Sequence, residues 1–166
     1  MNLTYEYTKV TKKEDVEIFR PLVDQLFKLQ AERAEDKYKP MLSSMTIEMR
    51  LHPDFEAEVF PYLDTQLIMV KDEDIDRYVG FAYSTMGRDK KGNLKLYFIE
   101  EAYRGKGIGS KLFEDAMEFI EAHQPEEVLI YVSNGNEQAL GFYKSKGFRF
   151  KSEVFGGMVT ELTNLK

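Results

Sequence analysis

Residues 103–112 read YRGKGIGSKL, a glycine-rich stretch that joins a strand-like apolar run to a helix-like one. Glycines at positions 105, 107 and 109 permit positive backbone φ and remove Cβ atoms, so successive amides can converge on an anion at a helix start. Arg104 and Lys106 add side-chain charge that suits a diphosphate or a nearby 3'-phosphate. We therefore predict an anion site at a strand–turn–helix junction.

Spacing excludes two nucleotide-binding motifs at this turn. The dinucleotide fingerprint G-x-G-x-x-G would require glycine at position 110 or 112, where the chain has Ser110 and Leu112. A P-loop would require Gly-Lys-Ser/Thr at the close of a longer loop, and the chain has no such run. The alternative that stays open is a glycine turn that connects strand to helix and binds nothing.

The chain on either side of the turn shows alternating strand and helix patterns. Strands are predicted at residues 2–8, 66–70, 78–85, 94–99, 128–132, 148–152 and 158–162, with turns at 71–77 and 87–93. Helices are predicted from a Thr11–Glu14 capping box to Leu29 with a break near Pro21, within 43–63, from Gly109 onward and at 136–146, with a loop at 35–41. Because a helix separates strands 94–99 and 128–132, we expect these two strands to lie parallel.

A second motif, NEQALGFYKSKGF, occupies residues 136–148. On a helix, Ala139 and Tyr143 are four residues apart and share a face with Asn136 one turn earlier, so all three can point along one groove. The alternative is structural: a core tyrosine, a capping Asn136 and a C-terminal Gly147.

Composition excludes several functional classes. The 166 residues contain 43% apolar and 31% charged side chains, which predicts one globular domain spanning residues 1–166. The net charge of -6 disfavours a nucleic-acid face. With no cysteine and two histidines, a metal site is not expected. The absence of a signal-like start and of a long apolar run predicts a cytoplasmic protein without a membrane contact.

Together the two motifs resemble those of the GNAT superfamily of N-acetyltransferases. Arg104, Gly107 and Gly109 match its first signature, and the second is matched by Asn136, Ala139, Phe142, Tyr143, Gly147 and Phe148. The specific match covers residues 94–148, while the order of strands and helices agrees over nearly the whole chain. Members often carry proline where this chain has Glu101, a departure that concerns the loop more than cofactor binding.

The resemblance implies an α/β (α+β) fold with a mixed, largely antiparallel sheet of six or seven strands, helices on both faces and two parallel central strands that splay apart. It also implies that acetyl-CoA lies between those strands and that no metal takes part. The cofactor-binding residues it implies are Phe98, Ile99, Arg104, Gly105, Lys106, Gly107, Ile108, Gly109, Ser110, Asn136 and Tyr143.

Acetyl transfer to an amine requires a neutral nucleophile, yet alkyl amines have a pKa of about 10 and are mostly protonated at pH 7. Glu100 is the predicted general base, with Glu101 as its neighbour, although both also fit solvated loop carboxylates. Tyr143 is the predicted general acid toward the leaving thiolate. The acceptor stays open among small amines, polyamines, amino acids and protein amines.

Two other classes of function stay open at this level. One is a non-catalytic acyl-CoA-binding regulatory module, and the other is a structural domain whose glycine turn binds nothing. Exposed hairpin edges near the carboxyl end, together with the resemblance, suggest a homodimer.

Overall fold

The computed structural model describes residues 1–166, apart from the side chains of His52 and Pro53. The strands are β1 (Leu3–Thr8), β2 (Tyr62–Asp72), β3 (Arg77–Gly87), β4 (Lys91–Ile99), β5 (Glu127–Ser133), β6 (Arg149–Val154) and β7 (Val159–Thr163). The helices are α1 (Arg20–Arg33), α2 (Lys39–Ser43), α3 (Ile47–Glu56), α4 (Ile108–Glu121) and α5 (Glu137–Ser145). Short 3₁₀ segments span Lys13–Phe19, Asp36–Tyr38, Glu101–Tyr103 and Phe155–Gly157. In this part of the chain, no helix is both long and apolar enough to cross a membrane.

All seven strands form one sheet in the order β1-β2-β3-β4-β5-β7-β6. The pair β4–β5 is parallel and the other neighbours are antiparallel. The crossover between the two parallel strands is α4, as expected for a connection that must carry the chain back to the same end of the sheet. The predicted mixed, largely antiparallel sheet is confirmed.

Helices cover both faces of the sheet because its central strands are apolar on both sides. In β2, Leu67 and Met69 pack into the cluster under α1 and α3, whereas Ile68 and Val70 pack into the cluster under α4. All four of these side chains are buried. In the resulting three-layer arrangement, the two central parallel strands lie in the middle layer.

Three local predictions were wrong. The carboxylate that caps the first helical segment belongs to Asp15, which accepts hydrogen bonds from the amides of Thr11 and Lys12, and not to Glu14. Residues 35–41 are mostly helical, in the segments Asp36–Tyr38 and α2. Pro40 is compatible with α2 because it stands in the first turn of that helix, where its missing N–H costs nothing. The turn predicted at 87–93 is shorter, since β4 already begins at Lys91.

The parallel pair β4–β5 separates before either strand ends. Its pairing extends from Lys91 opposite Glu127 to Leu94 opposite Ile130. Beyond that point β4 continues to Ile99 on the β3 side, while β5 continues to Ser133 on the β7 side. A register shift against β3 makes Lys95 an extra residue in β4, a bulge of the kind that bends a strand. The two strands therefore diverge and leave a gap in the sheet.

Candidate active site

A groove of about 350 Å³ occupies the gap between β4 and β5. Its walls come from α1, β4, the turn before α4, β5 and α5. We call the part formed by residues 104–110 and Arg33 the turn end, and the part formed by Lys95 and Tyr131 the inner end. Along an extended strand, the four steps between the five residues from Lys95 to Ile99 span about 13 Å, so the groove is long enough for an elongated ligand.

The turn end offers backbone amides without partners. Gly105 and Gly107 have φ of 74° and 82°, the left-handed region that favours glycine, and Gly107 is the N-cap of α4. Across the described chain, no hydrogen bond from the amides of residues 105–110 is found. The first amides of a helix have no intrahelical acceptor, and here they face an open groove. A negatively charged ligand would satisfy them.

Gly109 allows close packing at the same helix start. A Cβ at this position would lie 2.6 Å from the hydroxyl oxygen of Tyr97 in β4. The absence of a side chain therefore lets the first turn of α4 approach the strand that forms the groove floor. Close approach of helix and strand brings the free amides to the end of β4.

Two guanidinium groups approach the turn end from different elements. Arg104 donates through Nε to the carbonyl oxygen of Ile99 at 2.9 Å, and its guanidinium carbon lies 5.7 Å from the ring centroid of Phe98. Arg33, at the end of α1, donates through Nη1 to Oδ1 of Asn136 at 3.3 Å. Burial lowers the pKa of Arg104, and the charge of Arg33 lowers it further. The two cations are therefore near enough to repel each other, and an anion between them would relieve that repulsion.

Asn136 caps α5 and also contacts α1. Its Oδ1 accepts a hydrogen bond from the amide of Ala139 at 3.3 Å, in addition to the bond from Arg33. A Cβ on the neighbouring Gly135 would lie 2.0 Å from the carbonyl oxygen of Arg33. The loop before α5 is thus packed against the end of α1, which brings two groove walls together.

Tyr143 lies in an aromatic cluster on the α4 side of the groove. Its ring centroid is 6.0 Å from that of Phe113 and 5.5 Å from that of Phe142, and the residue is 6% exposed. Burial raises the pKa of the Tyr143 phenol above its ordinary value, and Tyr97 raises it further. The raised pKa keeps the Tyr143 hydroxyl protonated at neutral pH. Because this hydroxyl forms no hydrogen bond to the described residues, its proton is available to a ligand.

Glu100 lies just after β4 and is held by two partners. Nη1 of Arg77 contacts both carboxylate oxygens, at 2.8 and 2.7 Å, and Nε2 of Gln25 donates to Oε2 at 2.9 Å. Burial raises the pKa of Glu100, but the hydrogen bonds from Arg77 and Gln25 outweigh that effect and leave the pKa below its ordinary value. The carboxylate is therefore ionised near neutral pH and is a weaker base than a free glutamate.

Most of the predicted site residues meet in the groove. The lining includes Phe98, Ile99, Arg104, Gly105, Gly107, Gly109, Ser110, Asn136 and Tyr143. It does not include Glu100, Lys106 or Ile108. Lys106 is exposed, with its amine 5.9 Å from the Tyr103 ring centroid, and the Ile108 side chain is in the core. These positions can contribute to the turn end through their backbone amides.

Sequence reasoning missed Arg33, Lys95, Tyr131 and Ser133 as lining residues. A usable signal existed for Lys95, because it is a single cation inside the apolar run 94–99. Ser133 lies at the end of β5, and its buried Oγ has no hydrogen-bond partner among the described residues. Such a group in a groove wall points to a ligand that can hydrogen-bond there. The described residues contain no cluster of three or more His, Asp or Glu side chains able to hold a metal ion.

Comparison with known proteins gives a family match. Residues 27–148 match the acetyltransferase (GNAT) family, a span that contains both motifs and all the groove-lining residues except Leu26. The mycothiol acetyltransferase of Corynebacterium glutamicum is 28% identical over 87 residues, which are 52% of this chain and 29% of that protein. The spermine/spermidine N(1)-acetyltransferase of Bacillus subtilis is 31% identical over 96 residues, which are 51% of this chain and 63% of that protein. The chain thus spans less than two thirds of the length of these relatives.

A solved structure agrees over nearly the full length. The PaiA N-acetyltransferase of Thermoplasma acidophilum, determined in complex with coenzyme A, superposes with a TM-score of 0.64 at 17% identity. The superposition covers 98% of this chain and 99% of that one. At this identity the likeness concerns the fold alone.

Proposed function

The chain belongs to the GNAT family of acetyltransferases, and on that basis we propose that it transfers an acetyl group from acetyl-CoA to a primary amine in a ternary complex. The observation that carries this proposal is the groove between the diverging strands β4 and β5, which ends at unpartnered amides of a helix start. A thioester bound along β4 and a diphosphate at the turn would use both features at once.

The residues present fit acetyl-CoA as cosubstrate. The amides of residues 105–110, with Arg104 and Arg33, supply donors and positive charge for phosphates. The unpartnered Oγ of Ser133 and the open edge of β4 supply hydrogen-bonding groups for the amides of the pantetheine arm. When bound, acetyl-CoA supplies an activated acetyl group. The Thermoplasma protein of similar fold was determined in complex with coenzyme A, which supports coenzyme A as the type of ligand proposed.

In the proposed reaction, the amine nitrogen forms a bond to the acetyl carbon, the carbon–sulfur bond breaks, and the sulfur leaves with the bonding electrons. Tyr143 holds its proton because burial raises its pKa, and it donates that proton to the leaving sulfur. The chain has no cysteine to form an acylated thiol. Direct attack therefore needs only a group that accepts the proton of the amine.

For that proton we retain Glu100 as the proposed base, acting directly or through a water. It lies at the carboxyl end of β4, one residue beyond Ile99 of the groove lining. Its contacts with Arg77 and Gln25 lower its pKa, which keeps it ionised but makes it a modest base. The same contacts with Arg77 and Gln25 also fit a Glu100 that only forms a structural ion pair. The catalytic role predicts a lower kcat/KM in Glu100→Gln, and the structural role predicts no change.

A thiol-release assay with acetyl-CoA and a panel of amines tests the proposal. We expect thiol release with at least one amine, and we expect acetyl-CoA at about 100 times its dissociation constant to stabilise the fold by roughly 2.7 kcal/mol in thermal unfolding. Stabilisation without thiol release from any amine would favour the non-catalytic acyl-CoA-binding module. Neither stabilisation nor release would reject both. A cytoplasmic location and a homodimer stay predictions from the sequence.

A further inference from the structure

The charges that line the groove all have one sign. The charged lining residues are Arg33, Lys95 and Arg104, and no aspartate or glutamate in the described part of the chain lines the groove. Arg33 and Arg104 lie at the turn end, where phosphates are proposed to bind. Lys95 lies at the inner end, where β4 and β5 separate, and phosphates of the cofactor do not account for it.

A second cation, Arg50, lies on α3 one turn before Asp54, whose carboxylate contacts the Lys95 amine. Arg50 of α3 is half-buried, and its guanidinium forms no hydrogen bond or salt bridge with any residue that the structure describes. Its charge acts on both Lys95 and Tyr131, the two residues that define the inner end. A guanidinium has five donors and cannot lose its charge near neutral pH, so an anionic ligand that accepts from it would be bound favourably at this partly buried position.

The carboxylates nearby do not balance these two cations. Asp54 lies 3.5 Å from the Lys95 amine and also accepts a hydrogen bond of 2.6 Å from the Tyr62 hydroxyl. Glu161 accepts from Tyr131 and is not among the groups whose charge acts on Arg50 or Lys95. Arg50, Lys95 and Asp54 together therefore carry a net charge of about +1, at a place where the Lys95 side chain is 14% exposed.

From this arrangement we infer that the acceptor is a small amine that also carries a carboxylate, which Arg50 and Lys95 bind at the inner end of the groove. The inference rests on the proposed acetyl transfer and names its substrate class. A carboxylate brings one negative charge, which matches the excess, and its two oxygens suit a guanidinium. A phosphate monoester carries about -1.5 to -2 and would overcompensate. A polyamine would add cations where the lining already has only cations.

Matched acceptors test the substrate class. Phenylalanine, phenylalaninamide and phenethylamine share one skeleton and differ in the carboxylate, as do lysine, lysinamide and cadaverine. In the thiol-release assay we expect the carboxylate member of each set to have at least tenfold higher kcat/KM than its two partners. Equal or faster acetylation of the amide, of the decarboxylated amine or of spermidine would overturn the inference. Faster acetylation of phosphoethanolamine than of β-alanine would also overturn it.

An Arg50→Met variant tests the residue. It breaks no hydrogen bond within the described chain, so we expect an unchanged or higher unfolding temperature, an unchanged KM for acetyl-CoA and at least a tenfold higher KM for the carboxylate acceptor. Arg50→Lys should retain part of the affinity. Arg149→Met, an exposed site on β6 with the same change of charge, is the control and should leave both KM values unchanged. An unchanged acceptor KM in Arg50→Met would overturn the inference.

A binding measurement separates this inference from the proposed function. If no amine releases thiol, acetyl transfer is rejected, and the inner end can still be tested with N-acetylphenylalanine and its amide in the presence of coenzyme A. The carboxylate compound should raise the unfolding temperature of the wild-type protein more than the amide does, and this difference should vanish in Arg50→Met. Equal shifts for the two compounds would reject the carboxylate site.

Discussion

The two ends of the groove are built by different means. At the turn end, the amides of residues 105–110 and the side chain of Arg104 come from one continuous segment, and two glycines with positive φ shape it. At the inner end, Arg50, Lys95 and Tyr131 come from α3, β4 and β5, and side chains supply all the chemistry. A site built from one continuous segment suits a ligand that does not vary. A site assembled from distant elements can change its specificity through substitutions on one element at a time.

In the proposed acetyl transfer, this difference separates binding of the donor from binding of the acceptor. Backbone amides depend on chain conformation and tolerate most side-chain changes around them. The inner end depends on the side chains of Arg50, Lys95 and Tyr131, each on a separate element. We therefore expect changes at the turn end to alter donor binding with every acceptor, and changes at the inner end to alter acceptor choice alone.

The largest effect is expected from Gly107→Val at the turn end. An ordinary residue at a φ of 82° has a backbone strain of roughly 1–2 kcal/mol, and a β-branched residue has more. If the backbone relaxed to relieve this strain, the amides at the start of α4 would move. We expect the dissociation constant of acetyl-CoA to rise about a hundredfold, measured by calorimetry. Gly141→Ala, where a Cβ meets nothing within 4 Å, is the control. It should stabilise α5 by up to about 1 kcal/mol and leave affinity unchanged.

A smaller effect is expected from Tyr143→Phe, which alters chemistry and leaves both ends intact. We expect kcat to fall at least tenfold, with the acetyl-CoA dissociation constant and the unfolding temperature nearly unchanged, because the hydroxyl has no partner within the described chain. Steady-state kinetics and calorimetry measure the two quantities. Tyr7→Phe removes a hydroxyl that bonds to Asp115 outside the groove lining and should leave kcat unchanged. Wild-type kcat in Tyr143→Phe would remove Tyr143 from the mechanism.

Glu100→Gln should lower kcat/KM about fivefold, since a base with a lowered pKa contributes less than a free one. In the wild-type protein, the Glu100 carboxylate should stay ionised below the ordinary glutamate pKa of about 4.3. The acid limb of the kcat/KM pH profile should therefore lie at a pH below that value. Arg77→Met should move that limb to higher pH. The stabilisation from this ion pair is present above the unfolded pKa and is lost as pH falls through the folded pKa. A Glu100→Gln enzyme with normal kcat/KM at all pH values would leave Glu100 with a structural role only.

The smallest effect is expected from Arg33→Met, which removes the side chain that α1 contributes to the turn end. A half-buried guanidinium contributes on the order of 0.5–1 kcal/mol to the binding free energy of an anionic ligand. Acetyl-CoA binding to Arg33→Met should therefore weaken about threefold and become less sensitive to salt. Titrations at two ionic strengths measure both changes. Lys28→Met, exposed on the same helix and outside the groove lining, is the control. Unchanged affinity in Arg33→Met would confine phosphate binding to the turn itself.

Much of the fold could be predicted because its signals are local. The alternation in 2–8, the apolar runs at 94–99 and 128–132 and the helical spacing after Gly109 each identify an element within one segment, and the structure has a strand or helix at each. The errors arose where local signals compete. Asp15 and Glu14 are adjacent carboxylates near a helix start, and backbone geometry selects Asp15. The polar segment 35–41 resembles a loop in composition, yet Leu42 packs into a small core cluster with Ala31 and Ala34 and α2 forms.

Residues that are neighbours along the chain were enough to predict the glycine turn, the two motifs and the parallel crossover. Three features depend instead on packing: Arg33 reaches Asn136, Lys95 bulges from β4, and Arg50 has no hydrogen-bond or ion-pair partner among the residues that the structure describes. The physical reason is that charge balance inside a groove is a sum over side chains from distant segments. Whether a cation is neutralised depends on which other charges the packing of the sheet and helices brings near it.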